Sequence, residues 1–302
     1  MKLRMGRLRQ AAPIAFALFL CGLLAGCGIN HNTTIAVGSK NFTEQNILGE
    51  LLAQQIESHT HLRVMRRFYM TGTYICQQAI LAGRIDTYVE YTGTALTAIL
   101  KDPLAGDPGA VFSRVRAEYA SRFALQVLPS LGFDNTFAIV VRGEDARREH
   151  LKTISDLARM APQWRAGFGY EFMERPDGFE GLARAYNLHF SGPPRIMDLG
   201  LLYRALLEKQ VDVVAGNATD GLLAARDLTI LEDDKRYFPP YQAVPIFRRQ
   251  TLEQHPEVLR AIQQLAGRIS DQDMRRMNYA VDGQHQDAAT VARDFLKAQG
   301  LE

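Results

Sequence analysis

Cysteine is scarce in this 302-residue sequence, with three in all, at Cys21, Cys27 and Cys76. The first two fall in or beside an apolar N-terminal stretch, so only Cys76 is left for a folded domain and no disulfide can form within it. A domain this large needs none, because its core suffices. Tryptophan occurs once, and the longest apolar run, Ala11 to Ala25, is too short for a standard membrane span. Charge of either sign is not in excess: 35 basic against 33 acidic residues give +2, which removes the electrostatic footprint of a nucleic-acid partner. No Gly-x-Ser-x-Gly elbow and no Gly-x-x-x-x-Gly-Lys phosphate turn occur, so a serine hydrolase and a nucleotide site both lack their motif. His59 and His61 stand two apart with no zinc spacing around them, and neither Asp233-Asp234 nor Asp271 with Asp273 has a calcium-loop pattern. The chain is therefore expected to be neither an enzyme nor a holder of metal or cofactor.

What is present begins with a leader. Lys2, Arg4, Arg7 and Arg9 precede the apolar run, which ends in Leu24-Ala25-Gly26-Cys27. This is the pattern of a secretory signal peptide, and its ending resembles a bacterial lipobox. Residues 1–26 are expected to be removed, Cys27 to carry the lipid, and 27–34 to form a tether to a membrane surface. Removing four positive charges turns the net charge negative. An exported, membrane-anchored protein in the periplasm or at the cell surface follows.

The body of the chain reads as alternating strands and helices. Ile35-Ala36-Val37 runs into the turn Gly38-Ser39-Lys40, and Ile47, Leu48, Leu51, Leu52 and Ile56 then recur on one helical face. Asn41 and Glu44 have capping-box spacing for that helix. The turn before it offers Ser39, Lys40 and backbone N–H groups, a place suited to an anion. An internal repeat sets Ala79–Thr94 against Ala205–Asp220 at constant offset, placing Asp86 on Asp212 and Tyr91 on Asn217. Turn-rich segments near Gly132–Thr136 and Phe238–Pro245 mark two places where the chain crosses between halves. The expected fold class is α/β with two lobes: residues 35–133 plus 244–302 as a discontinuous first lobe, 134–243 as the second, a cleft between them and hinge crossovers. Cys76, inside an amphipathic run, reads as a small buried hydrophobe.

Turns rich in Tyr, Thr, Asn and Gly fit binding better than catalysis. A quaternary ammonium donates no hydrogen bond and is held by aromatic faces, each contributing about 0.5–2 kcal/mol. A zwitterion adds a carboxylate, which calls for Lys, Arg or hydroxyl donors opposite.

Gly38-Ser39-Lys40-Asn41-Phe42-Thr43-Glu44-Gln45, Glu90-Tyr91-Thr92-Gly93-Thr94, Arg175-Pro176-Asp177-Gly178, Thr219-Asp220-Gly221 and Phe238-Pro239-Pro240-Tyr241 follow one another in an order that resembles the osmoprotectant-binding proteins of ABC importers, the glycine betaine, carnitine and choline-binding family. The resemblance spans nearly all of residues 35–300. It implies a periplasmic-binding-protein fold (type II-like), a monomer that closes on a small zwitterion and delivers it to a permease driven by a separate ATPase subunit. Carried over by motif, Tyr91 and Tyr241 are cage tyrosines, Phe137 stands where Tyr is usual, and Asn217 replaces a fourth ring. Lys40, Thr94 and Arg175 match carboxylate-facing positions, and Gln45 lies in the first binding turn. Choline, with no carboxylate, is expected to leave Arg175 unsatisfied. Asn217 opens a second expectation, a ligand with a polar group at that wall such as ergothioneine or another amino-acid derivative; a sensory binding domain is the other alternative. As cleft residues, Tyr91 and Tyr241 are expected to tolerate truncation with thermal stability nearly intact.

Overall fold

A computed structural model describes residues 33–301. The leader, Cys27 and most of the tether lie outside them. Among the described residues no helix is long and apolar enough to cross a membrane.

Among the described residues, ten strands form two five-stranded sheets. The first holds β1 (Thr34–Lys40), β2 (Arg63–Met70), β3 (Thr87–Tyr91), β4 (Leu125–Val127) and, from far along the chain, β10 (Ala243–Arg248), in the order β2-β1-β3-β10-β4. The second holds β5 (Phe137–Arg142), β6 (Ala166–Phe168), β7 (Arg195–Ile196), β8 (Val213–Asn217) and β9 (Leu228–Leu231), in the order β7-β6-β8-β5-β9. The pairing senses match strand for strand. β1 runs parallel to β2 and β3 as β6 does to β7 and β8, while β10 is antiparallel to β3 and β4 as β5 is to β8 and β9.

The repeated aspartates explain part of this likeness. Asp86 accepts a hydrogen bond from the Ala36 amide at 2.8 Å and returns its own amide to the Ala36 carbonyl. Asp212 does the same with Arg165, at 3.0 Å. In each lobe a carboxylate thus satisfies the edge of a central parallel strand just before its neighbour begins. Those strands are buried on both faces: β1 is covered from Ile35 onward, and β8 from Val213 to Gly216.

Helices cover both sheets. Ile47, Leu48, Leu51, Leu52 and Ile56 of the helix Thr43–His59 are at most 1% exposed and join β1, β10 and the C-terminal helices in one core. Each contributes about 1.5–3 kcal/mol by leaving water. Cys76 is buried in the helix Thr73–Leu81, and burial pushes its thiol up to about 12, so it is an inert core residue.

Two segments cross between the sheets, after β4 and after β9, and they meet side by side. Asp134 and Gln242 form an isolated antiparallel bridge, the Tyr241 amide donates to Asp134 Oδ2 at 2.8 Å, and the Asn135 amide donates to the Tyr241 carbonyl at 3.1 Å. Burial pushes the Asp134 carboxyl up to about 6 against the opposing pull of that Tyr241 amide, with the Asp271 carboxylate adding to the rise. A folded-state value above the unfolded one of about 3.9 means that the native state binds the extra proton between these values, so stability falls as pH rises through roughly 4 to 6. Asp134→Asn keeps the acceptor and removes the charge. It is expected to flatten that part of the stability profile and to gain about 1–2 kcal/mol at pH 7, read by denaturant melts across pH; an unaltered profile would show that the hinge carboxylate ionises freely.

Candidate functional site

The C-terminal ends of β1, β3, β6 and β8 all point at the space between the sheets, where open α/β sheets place their ligands. A cavity of about 460 Å³ lies there, walled by both lobes. Lys40, Tyr91, Thr94, Phe137, Arg175, Asn217 and Tyr241 all line it. Gln45 does not; it stands behind the wall, its Nε2 donating to the Tyr91 hydroxyl at 3.1 Å. Ser39 is also withdrawn, buried with its hydroxyl turned to Asn46 and to the Lys40 carbonyl, so the turn before the first helix offers no anion its side chain.

Three aromatic residues cluster around Phe137, while Tyr91 lines the cavity apart from them. Phe137 meets Phe172 at 4.8 Å, Phe238 at 5.6 Å and Tyr241 at 5.7 Å between ring centroids, mostly edge to face. Register explains why: Phe137 pairs with Asn217 across β5 and β8, and Tyr91 with Ala243 across β3 and β10, two residues beyond Tyr241. Strand pairing therefore brings together residues from four separate motifs. The hydroxyls face away from the rings' open space. That of Tyr91 donates to Glu44 at 2.6 Å, and that of Tyr241 to Asp177 at 2.5 Å.

Both cations of the wall are already matched. Lys40 Nζ pairs with the fully buried Glu90 and lies 5.1 Å from the centroid of the Tyr91 ring. Arg175 forms two parallel bonds to Asp177, Nε to Oδ1 at 2.9 Å and Nη2 to Oδ2 at 2.5 Å, and its guanidinium lies 4.9 Å from the Phe137 centroid and 5.8 Å from that of Tyr241. Burial raises the Asp177 carboxyl, and the Arg175 charge and hydrogen bonds, with Tyr241, bring it below the usual carboxylate range. The charge of Arg175 is thus compensated before any ligand arrives, while among the described residues no bond engages its Nη1. The expectation that choline would strand it does not hold, because Asp177 sits two residues away and closes the fork. Glu171, Glu174 and Asp198 add carboxylates to the second lobe's side of the cavity.

Glu171 also reaches across the mouth, accepting from the Thr73 amide at 2.6 Å. Gly72 makes room for it: a Cβ there would come within 2.5 Å of the Glu171 carboxylate. Asn217 lines the wall where the repeat places Tyr91 in the other lobe, and its backbone N–H donates to Asp220 Oδ2 at 2.8 Å.

Two sequence expectations are corrected here. Glu44 is no cap: the helix begins at Thr43 after Phe42 with no side-chain bond to its free amides, and Glu44 turns inward, where burial raises its carboxyl. Its inward neighbours supply four donors, a stronger claim on a carboxylate than one solvent-facing amide. Tyr91 and Tyr241 are not loosely held cleft residues either. They are 4% and 2% exposed and belong to the first lobe's core, so truncating them removes packing as well as cage.

Phe172, Glu44, Asn135 and Asp177 are residues that motif reading did not select. The repeat held a signal for Phe172, because the short helix Tyr170–Glu174 follows β6 as the first helix follows β1. Asp177, in a Pro-Asp-Gly turn, reads as a surface loop until its partners are known.

The family model for the substrate-binding domain of the ABC-type glycine betaine transport system matches residues 33–298. The chain is 35% identical over 286 residues to the carnitine transport binding protein OpuCC of Listeria monocytogenes, covering 93% of this chain and 92% of that one. It is 35% identical over 268 residues to the ergothioneine transport permease/ergothioneine binding protein EgtU of Helicobacter pylori, covering 88% of this chain and 48% of that protein. Among solved structures it is similar to a glycine betaine/carnitine/choline ABC transporter protein, with TM-score 0.73, 34% identity, and 88% of this chain and 99% of the other covered. With the cleft, the crossovers and the aromatic wall already in place, these likenesses settle the family: the chain belongs to the substrate-binding domains of ABC-type glycine betaine transport systems.

Proposed function

We propose that this protein captures a compound bearing a quaternary ammonium group between its lobes and presents it to the permease of an ABC importer, whose ATPase is a separate subunit. One observation carries the reading. Tyr91, Phe137, Phe172 and Tyr241 line a single inter-lobe cavity, and three of these rings already lie against positive charge. Such a wall suits a cation that cannot donate hydrogen bonds. Because Glu90 and Asp177 neutralise Lys40 and Arg175, the wall does not repel a cation, and a carboxylate on the ligand is an addition, not a requirement. A zwitterion's carboxylate would meet Lys40, Thr94 and the remaining Nη1 of Arg175. Glycine betaine, carnitine and choline all fit this description.

Asn217 supports one variation. It offers a donor and an acceptor where the repeat has a ring in the other lobe, so a ligand with polar atoms beside its ammonium, such as ergothioneine, gains a partner there. Asn217→Tyr is expected to strengthen binding of a simple trimethylammonium ligand about tenfold, the worth of one added cation–π contact of roughly 1 kcal/mol, and to weaken ergothioneine. Calorimetric titration of both proteins decides it; a variant that leaves both affinities unaltered would take Asn217 out of the site.

The leader and Cys27 support export and lipid anchoring, which would keep the domain beside its permease.

A further inference from the structure

Glu44 is 3% exposed and receives four hydrogen bonds from four separate elements. Oε1 accepts from the Tyr91 hydroxyl at 2.6 Å and from Asn135 Nδ2 at 2.8 Å. Oε2 accepts from the Thr219 hydroxyl at 2.5 Å and from Asn278 Nδ2 at 3.0 Å. Tyr91 ends β3 in the first lobe, Asn135 lies on a crossing segment, Asn278 lies on the helix Asp271–Asp282, and Thr219 belongs to the second lobe, two residues after Asn217. A second set of contacts fixes Thr219 from all sides: Asn278 Nδ2 also donates to its carbonyl at 2.8 Å, and its amide donates to Asn135 Oδ1 at 3.4 Å. Gly221 completes the seat, since a Cβ there would lie 2.3 Å from the Tyr279 amide nitrogen.

Resting on the ligand-binding reading above, we infer that Glu44 is a positioning residue that never touches ligand: by holding the Tyr91 hydroxyl and the Thr219 hydroxyl on one carboxylate, it sets the spacing between the first lobe's aromatic wall and the second lobe's Asn217 wall. The chemistry explains why a carboxylate stands here. Four donors converge on two oxygens, and both amide donors are fixed by their second bonds to Thr219, so neither Asn can turn over to offer its oxygen. A Gln in place of Glu44 would set its own NH₂ against one of them whichever way it turned, leaving buried donors face to face. The hydroxyls could rotate to compensate; the amides could not.

Two readouts on the full-length protein test this. In ligand-free hydrogen exchange, Glu44→Gln and Thr219→Val are each expected to speed exchange of the 217–221 amides at least tenfold with the β8 amides before them unaltered, while Thr219→Ser, which keeps the hydroxyl, stays within twofold of wild type. Unaltered exchange in the loop, or acceleration spread equally through both lobes, would overturn the assignment, the latter marking a merely structural carboxylate. In titrations with glycine betaine, carnitine, choline and ergothioneine, Glu44→Gln and Thr219→Val are each expected to lose at least fivefold in affinity, Thr219→Ser less than twofold, and the double variant no more than twofold beyond Glu44→Gln. Losses that multiply, or a Thr219→Val variant that binds as tightly as Thr219→Ser, would contradict the inference. If wild type binds none of the four ligands, the ligand reading fails and the exchange data alone decide on Glu44.

Discussion

Asp177→Ala is expected to destabilise the protein by about 3–5 kcal/mol, the cost of leaving a buried charge without its partner. Asp177 is fully buried and Arg175 is 5% exposed, and the carboxylate also takes the Tyr241 hydroxyl, so its removal strands two groups at once. For a chain of this size such a loss lowers the melting temperature by about 5–9 °C. Removing both charges together, as Arg175→Met with Asp177→Leu, is expected to recover most of that loss, because the desolvation cost of the ion pair disappears with it. Since the Asp177 carboxyl is held below its ordinary value, its stabilisation is present above the unfolded-state value and fades as pH falls through the folded one. A single variant within 1 kcal/mol of wild type at neutral pH would mean that the pair is solvated in solution and that Arg175 is free to meet a ligand.

Tyr241→Ala is expected to show two losses at once. The ring is 2% exposed and packs against Phe137, so truncation costs about 3–5 kcal/mol of stability through the cavity it leaves. Ligand affinity is expected to fall at least tenfold as one wall of the cage disappears. Tyr241→Phe separates the two. It keeps the ring and gives up the bond to Asp177, at about 1.5–3 kcal/mol of stability, with affinity within threefold of wild type. Melting curves and titrations below the melting temperature of each variant measure this; an alanine variant that binds as tightly as wild type would remove Tyr241 from the cage.

The parts that sequence made legible are those carried by short-range pattern. Asp86 and Asp212 reveal the duplicated lobe because each acts on the strand beside its own, within a supersecondary unit that repeats. Tyr91, Phe137 and Tyr241 are readable because each sits at a strand end or in a proline-stiffened turn with a motif around it. What stayed hidden depends on contacts between distant segments. Nothing near Lys40 says that Glu90 lies opposite, because that follows from β1 and β3 being neighbours in the sheet. Glu44 has the spacing of a cap, and its inward turn is decided by donors at positions 91, 135, 219 and 278. Asp177 looks like a turn residue, yet it determines how much of Arg175 remains for a ligand.

On the proposed reading, the aromatic, charge-compensated cavity between the lobes takes a quaternary ammonium compound. Calorimetric titration of the wild-type protein against glycine betaine, carnitine, choline and ergothioneine, with leucine as a control of similar size, tests it most directly. Binding of at least one quaternary ammonium compound with a Kd on the order of micromolar, and none of leucine, is the expected result. Binding of leucine with none of the four quaternary ammonium compounds would contradict it, and would make the rings at Tyr91, Phe137 and Tyr241 ordinary packing.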